Sequence, residues 1–292
     1  MNVPGPRIDV VNPWLAREPS PGARLRLVCF HHAGGAASTF STWASTLEPD
    51  IAVLPVQLPA RERRVHEPCP GDLATLVAAL DEALDETLSE PYAMYGHSMG
   101  ALIAYSLVRR RYEAGRTLPV RLLLGAYPAV HLAPPLEQVL GLDDDRMVRW
   151  LCTVGGMSPT VARYPDWTRA AVRLFRDDLR LCSTARHPAD DIPLPLPIDV
   201  LTGADDPLMT SDKANAWARY TTVGCQVHVV PGGHLFVRDA AHALPALLSA
   251  ILSADLAAVA IRSSLMERSA AAPGPLRGCR PSPLGGDGAI RV

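Results

Sequence analysis

Apolar positions fall into two recurring patterns along this chain. Short, nearly unbroken apolar runs occupy residues 25–30, 51–56, 91–95, 120–126, 197–202 and 226–230. Runs this short, bounded by glycine, proline and polar residues, predict strands, and their lack of alternation predicts strands covered on both faces. Between them lie stretches of helical spacing. Residues 72–88 carry Leu73, Leu76, Val77, Leu80 and Leu84 on one face, and residues 101–110 form another helical run. Alternation of the two patterns predicts an α/β fold with a mostly parallel central sheet flanked by helices.

The alternation is interrupted once, between residues 126 and 197. That gap is far longer than a crossover needs, so it predicts an insertion, placed at about 130–195. Helical spacing recurs inside it near 136–140, 145–153 and 167–183. The last of these sets Trp167, Ala171, Leu174, Phe175, Leu179 and Cys182 in an apolar stripe that Asp178 interrupts. A lid over the carboxyl ends of the strands and an ordinary structural subdomain both fit that pattern. Residues 1–24 read as an irregular lead-in with Trp14 as an anchor, and 25–262 as the folded domain. Residues 240–261 are apolar, but His242, Pro245 and Asp255 interrupt them, which favours a closing helix packed on the sheet over a membrane span. From residue 263 the shift to Ser, Ala, Pro, Gly and Arg predicts a disordered tail to 292.

Candidate chemistry concentrates at Tyr95-Gly96-His97-Ser98-Met99-Gly100, where a predicted strand runs into a predicted helix. A G-x-S-x-G sequence in that context describes a nucleophile elbow, whose turn is too tight for side chains at the flanking glycines. A serine hydroxyl needs a base within hydrogen-bond reach and a carboxylate to orient that base. His234, in a glycine-rich turn after the last strand, is the expected base, and His228 inside that strand is expected to be structural. For the acid, Asp206 before Pro207 is preferred to Asp205, and Asp199 within a strand is the weaker candidate. Catalytic residues are therefore expected to be Ser98, Asp206 and His234. An oxyanion hole would use the backbone N–H of Met99 and that of Ala33 in the loop after the first strand, with Gly34 as the alternative.

Composition narrows the partners. The net charge of −2 gives no electrostatic footprint for nucleic acid or an anionic membrane, and Lys213 is the only lysine beside many arginines. Six cysteines without metal-like spacing predict reduced thiols and a cytoplasmic location, and residues 1–21 lack the apolar core of a signal peptide. No metal or cofactor is expected. A monomer is the default.

The ordered set of segments resembles the type II thioesterases of polyketide and nonribosomal peptide assembly lines, which are α/β-hydrolases. The resemblance runs through His32-Ala33-Gly34-Gly35, Leu58-Pro59-Ala60-Arg61-Glu62-Arg63-Arg64, Gly96-His97-Ser98-Met99-Gly100, Gly155-Gly156 with Pro159, Arg176-Asp177-Asp178, residues 203–207 and Gly232-Gly233-His234, over about 25–250. His31 departs from a common proline, Ala60 from a common glycine, and the tail has no counterpart. The resemblance implies an α/β-hydrolase fold with a helical lid. It also implies an editing function: hydrolysis of acyl, aminoacyl or peptidyl thioesters on the phosphopantetheine arm of acyl or peptidyl carrier protein domains. A small-molecule carboxylesterase or lipase, and a non-catalytic carrier-binding scaffold, are the alternatives. Arg61, Arg63, Arg64 and residues 109–111 are candidates for docking an acidic carrier.

Overall fold

The computed structural model describes residues 12–132, 136–158, 160–187, 191–240 and 243–270. Within them six strands, β1 (Leu25–Phe30), β2 (Ile51–Pro55), β3 (Tyr92–His97), β4 (Leu122–Gly125), β5 (Ile198–Gly203) and β6 (Cys225–Val230), form one sheet in the order β2-β1-β3-β4-β5-β6. Every pairing is parallel. Among the described residues nine α-helices accompany them: α1 (Ala44–Leu47), α2 (Leu73–Ala83), α3 (Met99–Glu113), α4 (Leu136–Leu140), α5 (Asp144–Thr153), α6 (Pro165–Ser183), α7 (Ser211–Asn215), α8 (Phe236–Asp239) and α9 (Ala243–Ala270). In β1 to β5 nearly every residue is buried, because α2 and α3 cover one face and α1 and α9 the other. That double cover explains why these strands are apolar on both sides rather than alternating.

The strand order places the site. From β1 the chain moves outward to β2 and then returns to the other side of β1 as β3. The loops after β1 and β3 therefore diverge and leave a crevice beyond the carboxyl ends of the strands, where parallel sheets bind ligands.

The insertion carries α4, α5 and α6 and has an apolar cluster of its own around Met147, Leu151, Met157, Val172, Phe175 and Leu179. Its helices lie close to the stretches read from spacing. The apolar stripe of α6 differs from the expected one: Leu174 is half-buried while Leu181 is buried, and Trp167 is 66% exposed and stacks on Tyr164, also exposed. Trp167 sits in the first turn of α6, beyond the reach of the cluster, and Val172 takes the buried place instead. Pro159 lies outside the described residues.

One boundary also differs. Helix α9 continues to Ala270, past the tail boundary expected at 263, because Leu265-Met266-Glu267-Arg268 are good helix formers and no proline intervenes before Pro273. Residues 271–292, like 1–11, lie outside the described residues. The segment Ala243–Arg262 is long and apolar enough to cross a membrane by length and composition, with mean hydropathy 2.0. In the fold its Leu244, Leu248, Leu252, Leu256 and Val259 are buried, the first four of them in the α1-side core. At the other end, Leu15 bridges Val56 and the Arg64 guanidinium lies 4.1 Å over the Trp14 ring, which anchors the lead-in.

The loop after β2 carries backbone strain at residue 60. Ala60 has φ +66°, in the left-handed region that a Cβ disfavours. Ala60→Gly is expected to raise stability by about 0.5–1 kcal/mol, the relief exceeding the entropy a glycine adds to the unfolded chain. An unchanged or lower thermal midpoint would show that the strain is already relieved.

Candidate active site

Strand β3 delivers Ser98 to the crevice through a turn that only its glycines permit. A Cβ on Gly96 would lie 2.1 Å from the Gly100 carbonyl oxygen, and one on Gly100 would lie 2.1 Å from that of Phe30. The start of α3 thus presses directly on the end of β1. Ser98 takes φ +53° and ψ −116°, a strained conformation held by its N–H donating to the Gly125 carbonyl at 2.7 Å.

The other two side chains come from adjacent strand ends. A Cβ on Gly203 would meet the Gly233 carbonyl oxygen at 2.3 Å, so the loops after β5 and β6 pack with no side chain between them. This brings His234 Nδ1 to 2.9 Å from Asp206 Oδ2, while Nε2 lies 3.1 Å from Ser98 Oγ. The second Asp206 oxygen accepts the Leu208 N–H at 2.8 Å, so the carboxylate is fixed at both ends. Asp205 next to it is exposed. The rival pair is occupied elsewhere: His228 Nε2 lies 2.6 Å from Asp199 Oδ1, and Arg121 bonds the other Asp199 oxygen.

One participant was not singled out by sequence. His97, the variable residue of the elbow, is fully buried, and its Nε2–H donates to the His234 carbonyl at 2.8 Å. Its Nδ1 therefore accepts from the Tyr95 hydroxyl at 3.0 Å. Burial drives the His97 pKa well below its ordinary value, so the ring stays neutral and the arrangement fixed. A histidine inside the motif was the only available signal, since its partner lies 137 residues away.

The loop after β1 is equally fixed. His31 Nδ1–H donates to the His32 carbonyl at 2.9 Å, and the Gly35 N–H donates to the same oxygen at 3.0 Å. In a trans peptide the C=O and N–H point oppositely, so holding the His32 carbonyl directs the Ala33 N–H the other way. Gly34 N–H is committed to Asp178 Oδ2 at 2.7 Å. Ala33 and Met99 N–H have no acceptor among the described residues. Met99 also opens α3, so the positive end of a 15-residue helix faces the same place.

Ser98, Met99 and His234 floor a cavity of about 290 Å³ whose walls are mostly apolar, with Val139, Trp150, Leu151 and Phe175 contributed by the insertion. Lys213 is a polar exception, its ammonium donating to the Leu208 carbonyl at 2.9 Å. Among the described residues no three His, Cys, Asp or Glu side chains group as metal ligands. Of the arginines considered for docking, Arg61 is buried in an ion pair with Asp178, and Arg111 is buried against Asp81; neither presents a free charge.

The family model described as a thioesterase domain matches residues 25–254. A probable cadicidin biosynthesis thioesterase of Streptomyces griseus is 34% identical, over 86% of this chain and 69% of its own. The protein named linear gramicidin dehydrogenase LgrE, of Brevibacillus parabrevis, is 30% identical over 80% of this chain and 90% of its own. Among solved structures, the RedJ thioesterase of the prodiginine pathway of Streptomyces coelicolor superposes with a TM-score of 0.74 at 33% identity, covering 80% of this chain and 94% of that one. A match spanning the whole sheet, its insertion and the loops that bear Ser98, Asp206 and His234 means that the chain belongs to the thioesterase domain family.

Proposed function

We infer that this chain is an editing thioesterase of polyketide or nonribosomal peptide synthesis, hydrolysing acyl, aminoacyl or peptidyl groups from the phosphopantetheine arm of a carrier protein domain. The observation that carries the reading is the hydrogen-bonded row Ser98–His234–Asp206 opening into an apolar cavity roofed by the insertion. Ser98 Oγ attacks the thioester carbonyl carbon while His234 Nε2 takes its proton, and Asp206 stabilises the imidazolium through Nδ1–H. The carbonyl oxygen, now anionic, is held by the N–H groups of Met99 and Ala33. Collapse breaks the C–S bond, and His234 returns the proton to the departing thiol. Water, deprotonated by His234, then attacks the acyl-serine and releases the carboxylic acid.

The apolar walls suit an uncharged acyl chain, and the thioester assignment rests on the family. The names of the cadicidin and prodiginine relatives support a biosynthetic setting with a carrier protein as partner. We read the protein as a cytoplasmic monomer, with α9 as a core helix because one of its leucine rows is committed to the sheet.

Purified protein offered butyryl groups on a carrier protein, the butyryl N-acetylcysteamine thioester and p-nitrophenyl butyrate decides the matter. Faster release from the carrier is expected. Preferential turnover of the oxygen ester would favour a carboxylesterase, and carrier binding without turnover a scaffold. Consumption of NADPH with an acyl thioester would favour the reductive chemistry that the name of one relative implies.

A further inference from the structure

The Arg61–Asp178 ion pair joins three segments that are distant in sequence. Asp178 lies on α6 of the insertion and is 2% exposed, and Arg61, in the loop after β2, is 4% exposed. The pair is bidentate: Arg61 Nη2 donates to Oδ1 at 2.7 Å and Nη1 to Oδ2 at 2.8 Å. Asp178 Oδ2 also accepts the Gly34 N–H, and Arg61 Nη1 donates to the Gly35 carbonyl at 3.2 Å. Arg61 is in turn fixed by donating through Nε to the Pro59 carbonyl at 3.0 Å. Phe175, one turn before Asp178, packs against Gly34, where an added Cβ would lie 3.4 Å from its ring.

We propose that Asp178 and Arg61 are positioning residues for the oxyanion hole, tying the Ala33 N–H to the seating of α6 over the site. This rests on the functional reading above. The Ala33 C=O and Gly34 N–H share one peptide plane, which Asp178 holds; the preceding plane, which carries the Ala33 N–H, is held through the His32 carbonyl. With both planes fixed, the donor is aimed before substrate arrives, which is what makes such a donor effective. If α6 lifts, it takes with it the acceptor of Gly34. The arginine has a separate task. A carboxylate one residue from the developing oxyanion would repel it in a buried site, and the guanidinium cancels that charge.

The test uses butyryl N-acetylcysteamine thioester as substrate, 1-butaneboronic acid as a mimic of the tetrahedral adduct, and a fluorophosphonate to titrate reactive Ser98. Asp178→Ala is expected to lower kcat about 10²-fold with KM changed less than about 2-fold, as a misplaced donor would. The boronate inhibition constant should rise in parallel, and labelling should still reach one per chain. Asp178→Asn keeps an acceptor for Gly34 N–H and should lose only about 10-fold or less. Arg61→Gln, which strands the carboxylate, should lose more than Asp178→Asn, and adding Asp178→Asn to it should restore about 5-fold or more.

Should Asp178→Ala not fold, as incomplete labelling would report, the Asn variant and the rescue decide. The proposal is overturned if fully labelled Asp178→Ala keeps kcat within about 3-fold, if kcat falls without a change in boronate affinity, or if the rescue fails. Ser98→Ala, assayed in parallel, separates the two readings. Activity surviving in it defeats the triad assignment, whereas an inactive Ser98→Ala beside a fully active Asp178→Ala defeats the positioning role alone.

Discussion

Ser98→Ala is expected to lower kcat/KM on an acyl thioester by about 10⁵- to 10⁶-fold while the fold stays intact. Among the described residues the hydroxyl makes one hydrogen bond, to His234 Nε2, and both Asp206 oxygens keep their partners without it. Alanine can occupy the same strained backbone, which is imposed by the packing of Gly96 and Gly100 rather than by the serine. His234→Ala should cost about as much, and Ser98→Ala/His234→Ala little more than either, because nucleophile and base act as a unit. Asp206→Asn should cost about 10⁴-fold, since an amide cannot hold the required tautomer. The measurements are steady-state hydrolysis and far-ultraviolet circular dichroism on each variant. Turnover in Ser98→Ala above about 1% of the parent rate would mean that another nucleophile is present.

How much of this could be read in advance varies with the kind of interaction involved. The strands were legible because burial on both faces writes itself into the sequence as unbroken apolar runs. Ser98, Asp206 and His234 were legible because each sits at a strand end marked by glycine or proline, where backbone geometry limits the choice of residue. The choice between Ala33 and Gly34 was not, since it turns on which N–H already has an acceptor, and that acceptor is Asp178, 144 positions away. Asp178 left a trace as a carboxylate on an apolar face, and the structure supplies the reason: a guanidinium from the loop after β2 meets it there. His97 left less, because its partners, Tyr95 and the His234 carbonyl, are set by the pleat of β3 and by strand order. Trp167 was misjudged because helical spacing cannot tell where along a helix the neighbouring cluster stops. The tail boundary failed for a related reason, as composition averages over residues that individually favour helix.

The buried histidines around the site lead to the second large effect, a steep loss of stability in mild acid. Burial lowers the pKa of His31 to about 3, with the nearby Arg61 charge adding to the effect, and that of His32 to about 3, with His31 adding to it. His97 is driven well below its ordinary value by burial as well. Among the described residues His31 Nε2 and His32 Nδ1 have no hydrogen-bond partner, so a proton added at either atom would have no acceptor, and the His31 hydrogen bond to the His32 carbonyl offsets its burial only in part. In the unfolded chain all three bind protons near pH 6.5, whereas in the native state they remain neutral. The unfolded state therefore holds more protons throughout the window from 6.5 down to about 3, and linkage makes stability fall as pH falls across it. His31 and His32 each cost about 1.4 kcal/mol per pH unit below 6.5, so that at pH 5 the two remove on the order of 4 kcal/mol, and His97 adds to the loss in the same direction. That is a large part of the whole stability of many domains, and urea unfolding at pH 7.5 and 5.0 should show the midpoint dropping by roughly 1–2 M. His31→Gln retains a donor for the His32 carbonyl but cannot titrate, so it should reduce the pH slope by about 1.4 kcal/mol per unit. A midpoint that does not move between those pH values, or a slope that His31→Gln leaves unchanged, would mean that protons reach these rings in the native state.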